Sequence, residues 1–173
     1  MTLTDKRIRL RAPEPADLDF LYILENSDGA EGSGFTAAPI SRRMLHDYIE
    51  SYSADINTDG QLRLIVEDIA SGKPIGTADI SDYDCRDRRG FVGIIIAENF
   101  RHRGFGSETL RLLCDYASST LGMHQLAAIV ELGNEASKAL FTACGFRPAG
   151  RLRSWLRRGH SYADALIFQR LFC

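Results

Sequence analysis

The run FVGIIIA, Phe91 to Ala97, leaves no polar alternate position, so a strand formed there must be covered on both faces. It passes without a linker into NFRHRGFGSETL, residues 99–110, where Arg101, His102 and Arg103 stand beside Gly104 and Gly106. A helix is predicted next, from about Gly104 to Leu121, with Leu110, Leu113, Cys114, Ala117 and Leu121 on one face. A buried central strand feeding an amphipathic helix through a short basic loop demands a sheet with helices packed on it.

The rest of the chain supplies the partners. RIRLRA (7–12) alternates as a strand, and Pro13 and Pro15 end it. ADLDFLYILEN (16–26) has Leu18, Leu21 and Tyr22 at helical spacing. SDGAEGSGFTAAP (27–39) reads as a long loop, and Ser41 as the cap of a second helix running to about Ala54. QLRLIVED (61–68) and IGTADISDY (75–83), joined by ASGKP, form a hairpin, and CRDRR is a charged turn before FVGIIIA. QLAAIV (125–130) is a buried strand. Asn134 then caps a helix whose buried stripe is read as Ala136, Ala139, Leu140 and Ala143, with Gly145 closing it. Residues 146–172 read as two strands joined around RRGH. The order β-α-α-β-β-β-α-β-α-β-β predicts an α+β, three-layer fold: a mixed, mostly antiparallel sheet of about seven strands with about four helices, and no doubly wound parallel sheet. Its 173 residues are expected to form a single domain, 1–173.

The net charge of −2 gives no sign of a nucleic-acid or membrane partner, so any basic patch is local. No apolar stretch approaches the roughly 20 residues that span a bilayer, and the N-terminus lacks the apolar core of a signal peptide. Cys85, Cys114, Cys144 and Cys173 lie in no metal-ligand spacing, which predicts no metal, reduced thiols and a cytoplasmic protein.

The basic loop is the strongest chemical signal. The first N–H groups of a helix are unsatisfied and carry partial positive charge, and glycine lets backbone approach a ligand closely. A phosphate or pyrophosphate site follows. The spacing Arg-x-x-Gly-x-Gly is neither a P-loop, whose lysine is missing, nor the dinucleotide GxGxxG. A solvated glycine turn is the competing reading.

IIIAENFRHRGFGSETLRLLCDYA resembles motif A of the GNAT superfamily of acetyl-CoA-dependent N-acetyltransferases, with Arg101, Gly104 and Gly106 at the signature positions. NEASKALFTACGF (134–146) is similar to motif B, matched by Asn134, Ser137, Gly145 and Phe146. The opening RIRLRAPEPADLDFLY and the tail WLRRGHSYADALIF look like the branch that holds spermidine acetyltransferase and the acetyltransferases of ribosomal-protein N-termini. The resemblance implies the GNAT fold, with the sheet splayed at its central strands and a bulge at Gly93. It implies that the backbone of Arg101, His102, Arg103, Gly104, Phe105, Gly106 and Ser107 holds the pyrophosphate of acetyl-CoA. Ile94, Ile95 and Ile96 would flank the pantetheine arm, and Asn134 and Ser137 would contact the cofactor from the other side. Asn134 also reads as a plain helix cap. The acceptor would be a primary amine on a small molecule or peptide: a polyamine such as spermidine, a protein N-terminus, an amino sugar or an antibiotic. A homo-oligomer is an open expectation.

Direct attack on the thioester needs a neutral amine, and a primary alkylamine titrates near 10.4. In the branch this chain resembles, a tyrosine of motif B is the acid and a central-strand glutamate is the base. Phe141 and Phe91 stand at those positions, and neither moves a proton. Glu67 and Asp79 align with acidic positions of the family and become the candidates for steering or deprotonating the amine. Asp82, Asp84 and Asp87 read as a solvated hairpin end, Arg42 and Arg43 as helix surface, and Cys144 as core filler. Of the branch's acidic polyamine loop, Asp28 and Glu31 remain. The alternative to an enzyme is a catalytically weak acyl-CoA-binding protein of the same fold.

Overall fold

The structure is a computed structural model that describes residues 3–27 and 39–172. The loop carrying Asp28 and Glu31, and Cys173, lie outside the described residues. Seven strands form one sheet in the order β1-β2-β3-β4-β5-β7-β6. They are β1 (Ile8–Arg11), β2 (Leu62–Asp68), β3 (Lys73–Asp84), β4 (Arg89–Ile96), β5 (Gln125–Glu131), β6 (Arg147–Arg158) and β7 (Ser161–Leu171). Every neighbouring pair is antiparallel except β4 and β5. The helices are α1 (Leu18–Glu25), α2 (Arg42–Glu50), α3 (Ile56–Asp59), α4 (Phe105–Ser119) and α5 (Glu135–Ala143). The mixed, mostly antiparallel sheet and its flanking helices are as the sequence predicts.

Two boundaries differ, for local reasons. α2 is capped by Ser41, whose hydroxyl accepts from Met44 N, but it ends at Glu50 rather than near Ala54. The intervening stretch instead starts α3, a single turn capped by Asp55 and closed by Gly60 at φ +67°. One turn is too short to show as periodicity. The expected bulge at Gly93 is absent: β4 pairs with β3 without a shift from Phe91 to Ile96, and the irregularity lies between Ser81 and Asp84 on β3.

The layers follow from side-chain alternation. On one face, Leu110, Leu113, Cys114 and Ala117 of α4 bury against Val66, Ala78, Ile80, Val92 and Leu126, and Phe141 of α5 and its C-cap Cys144 join the same core. On the other face, α1 and α2 pack Leu21, Leu45 and Ile49 onto Ile65. That second layer is much less apolar. Arg63 is 2% exposed and lies between two acids. Its Nη1 donates to Glu25 of α1 at 2.7 Å and its Nε to Asp79 of β3 at 2.5 Å. Arg11 likewise bridges Asp17 (2.7 and 2.9 Å) and Glu67 (2.5 Å), tying β1 to the turn before α1.

A buried ion pair adds little net stability, but removing one partner strands the other charge away from water. Arg63→Met leaves Glu25 and Asp79 uncompensated, so it should lower unfolding free energy by about 3–5 kcal/mol. Urea denaturation reads this directly. A loss under about 1 kcal/mol would mean that the carboxylates are solvated after all.

Candidate active site

β4 and β5 share only the pairs Arg89–Gln125, Gly90–Leu126 and Phe91–Ala127. Beyond them β4 stays with β3 as far as Ile96, and β5 stays with β7 as far as Glu131. The strands therefore diverge toward their C-terminal ends. In an antiparallel ladder alternate residues bond to the partner strand. Ala97 N donates to Ile75 O at 2.8 Å, which marks the odd-numbered residues of β4 as the bonded set toward β3. Ile94 and Ile96 thus turn their backbone polar groups into the gap.

The mouth of the gap is built by the chain that follows β4. Residues Glu98–Phe100 make a 3₁₀ turn, and Arg101 Nε donates to Ile96 O at 2.9 Å. His102 is held at φ +60° and Gly104 at φ +85°, both left-handed. Gly104 is the N-cap of α4, so no side chain caps that helix. Ser107 N donates to Gly104 O at 3.1 Å, and the N–H groups before it are left to water or to a ligand. A Cβ placed on Gly106 would lie 3.6 Å from Leu140 and 3.9 Å from Ile96, filling the space between the two walls.

The cavity has a volume of about 450 Å³. Ile94, Ile96, Phe100, Arg101, His102, Gly104, Gly106 and Ser107 line one side, and Ala136, Ser137, Ala139, Leu140 and Ala143 of α5 line the other. Of the residues expected at a cofactor site, Ile95, Arg103, Phe105 and Asn134 are not in the lining. Phe105 is buried beneath the loop, and the Arg103 guanidinium stands 5.7 Å over the Phe100 ring. Asn134 caps α5, its Oδ1 accepting from Ser137 N at 3.0 Å. The stripe Ala136, Ala139, Leu140 and Ala143 corrects the sequence reading. These residues face the cavity, and Phe141 and Cys144 carry the buried side of α5. Helical spacing shows that small apolar residues share a face, but not whether that face meets a core or an opening.

The acids do not line the cavity. Glu67, 7% exposed, accepts from Arg9 at 2.6 Å and from Arg11 at 2.5 Å, so both oxygens are engaged by guanidiniums of β1. Asp79 pairs across the ladder with Gly93, two residues beyond the last β4–β5 rung and on the sheet face covered by α1 and α2. Burial pushes its carboxyl above the usual range, and Arg63 pulls it back. Phe91 occupies the last rung, opposite Ser81 and Ala127. Phe141, 7% exposed, meets Phe146 edge-on at 5.1 Å and Phe168 at 6.2 Å. The Cys144 thiol donates to Ser107 O at 3.7 Å, and burial raises it above the ordinary thiol range. Asp84 accepts from the backbone of Arg86 and Asp87 and pairs with Arg89, as a hairpin end should.

A sheet opened between two parallel strands, with an uncapped helix start at the mouth, is the architecture of an acyl-CoA-dependent acyltransferase. The chain matches the acetyltransferase (GNAT) domain over residues 7–147 and belongs to that family, whose reaction is acetyl transfer from acetyl-CoA to an amine. It is 24% identical over 168 residues to the spermidine N(1)-acetyltransferase of Escherichia coli K12, covering 95% of this chain and 88% of that protein. It is 26% identical over 152 residues to the putative ribosomal N-acetyltransferase YdaF of Bacillus subtilis, covering 88% and 76%. The crystal structure of spermidine N-acetyltransferase from Vibrio cholerae in complex with CoA and spermine matches with a TM-score of 0.83 at 26% identity, covering 96% of each chain. The Vibrio cholerae enzyme is also known in a dodecameric structure.

Proposed function

We propose that this N-acetyltransferase binds acetyl-CoA in the gap between β4 and β5 and passes its acetyl group to a primary amine, either a polyamine such as spermidine or the N-terminus of a peptide. The observation that carries this reading is the three-rung limit of the parallel pair, which leaves Ile94 and Ile96 with backbone groups facing a cavity. The Ile96 carbonyl is taken by Arg101 Nε, but the Ile94 groups and the Ile96 N–H can pair with the amides of a pantetheine arm as an added strand would. The loop from Arg101 to Ser107 receives the pyrophosphate, with Arg101 and His102 at the cavity and Arg103 adding charge from behind it. Ser137 and Leu140 close the opposite wall. Ile95 and Phe105 support the site from within the sheet and the core, and Asn134 does so by fixing the start of α5. None of these roles needs a metal ion.

The amine approaches on the sheet face that carries Asp79. Around Arg63, two carboxylates stand against one guanidinium, so the group has one negative charge in excess and favours a cationic acceptor. Asp79, with its carboxyl raised by burial, is better suited than Glu67 to take the amine's proton through water. Glu67 serves to fix β1 against β2. The leaving thiolate is undemanding, with a thiol reference near 8.5, so loss of the acid slows the reaction without forbidding it. Phe141 has no proton to give, and the proton of Cys144 is committed to Ser107 O. The burial of Phe141 and the position of the acids outside the cavity favour a second reading, an acyl-CoA-binding protein of low activity. The free cysteines suit a cytoplasmic location. The dodecamer of the Vibrio cholerae enzyme suggests a homo-oligomer.

Three outcomes follow. Thiol release from acetyl-CoA should depend on added amine across a panel of polyamines and peptides; CoA binding with no amine-dependent release selects the second reading. Gly106→Val should fold normally, since Gly106 has ordinary helical backbone, yet weaken CoA binding at least about tenfold by filling the gap; unchanged affinity by calorimetry removes the site. Phe141 packs on Phe146 and Phe168 and is not in the cavity lining, so Phe141→Tyr should leave kcat within about twofold; a rise of about tenfold or more would mean that the hydroxyl reaches the leaving thiolate.

A further inference from the structure

Arg7 lies just before β1, and its backbone is fixed to the sheet because Ile69 N donates to Arg7 O at 2.9 Å. From there its side chain reaches the start of α4. Nε donates to both carboxylate oxygens of Glu108, at 2.9 and 3.1 Å, and Nη2 donates to Glu108 as well. Nη2 also donates to Arg103 O at 3.1 Å, and the guanidinium carbon stands 4.6 Å over the Phe105 ring. Contacts to residues 103, 105 and 108 surround Gly104. A Cβ built on Gly104 would come within 3.2 Å of the same Nη2.

We infer that Arg7 is a positioning residue for the pyrophosphate loop, holding the Arg103–Gly104 peptide so that its N–H faces the cofactor. The inference rests on the loop being the pyrophosphate site. A trans peptide is planar, with its C=O and N–H pointing in opposite directions. Fixing the Arg103 carbonyl on Arg7 therefore aims the Gly104 N–H away from Arg7, which is not among the residues lining the cavity, whereas Gly104 is. The loop needs such a hold, because His102 sits in the left-handed region, where surrounding contacts must impose the conformation on a residue other than glycine. Charge adds a second reason. Glu108 lies in the first turn of α4, where a bare carboxylate would repel a phosphate. The bidentate Arg7 pair neutralises it, and the guanidinium fork fixes geometry that an ammonium cannot.

Calorimetry with CoA and the backbone amide signals of Gly104, Ile94 and Ile96 test this on wild type, Arg7→Met and Arg7→Lys, with thermal melting run alongside. In wild type, CoA should shift all three amides. Arg7→Met should bind CoA about tenfold more weakly, the scale of losing a hydrogen bond to a charged group, and at saturation should lose the Gly104 response while keeping those of Ile94 and Ile96. Arg7→Lys should fall between the two, and it carries the test if Arg7→Met does not melt cooperatively. CoA affinity within about twofold of wild type, or a Gly104 response that survives without the fork, overturns the inference. A wild-type Gly104 amide indifferent to CoA overturns the pyrophosphate site itself, and the inference with it.

Discussion

After the Phe91–Ala127 rung, no ladder joins β4 to β5. Backbone N–H and C=O groups cannot be left unpaired in a dry interior, so two central strands that part must part around something polar. Each is held from its outer side, β4 by β3 and β5 by β7, which keeps the gap open when nothing fills it. Because the two strands are parallel, their C-terminal ends lie together, and so do the helices that follow them. The start of α4, the capped start of α5 and the exposed strand groups converge on one cavity through this single departure from an otherwise antiparallel sheet.

The two faces of the sheet are chemically unlike. Under α4 and α5 the core is apolar. Under α1 and α2, Arg11 and Arg63 each join two carboxylates across different elements. These networks specify how α1 and β1 dock, but they also consume the acids that the sequence offers as catalysts. Glu67 is fully engaged in this way. Asp79 shares Arg63 with Glu25 and stands beside Gly93, a strand position with no side chain to screen it from the gap. In the proposed reading a carboxyl there would face two demands, pairing with Arg63 and handling an amine.

The catalytic economy of the site is set by the leaving group. An enzyme whose leaving group is a thiolate needs less from a general acid than from precise placement of donor and amine. The aromatic cluster of Phe141, Phe146 and Phe168 uses for packing the position where a tyrosine would act as an acid. The placing elements, by contrast, are reinforced: Arg101 on Ile96, Asn134 on Ser137, and Arg7 on the loop and Glu108.

Much of this was legible along the chain. Apolar alternation, the Ser41 and Asn134 caps and the basic glycine loop determined the element order, the mixed sheet and a phosphate-seeking junction after β4, because each is a local consequence of neighbouring residues. Local order does not say which strand another strand abandons, so the missing bulge at Gly93 and the true end of the β4–β5 pairing came only with the tertiary structure. Nor does it show what a helix face looks onto, which is why the alanines of α5 read as core when they form a wall of the cavity. The partners of Glu67, Asp79 and Arg7 lie as many as 101 residues away in sequence. Whether a carboxylate is a free base or a bound counter-ion depends on those distant charges, and only folding brings them within hydrogen-bonding distance.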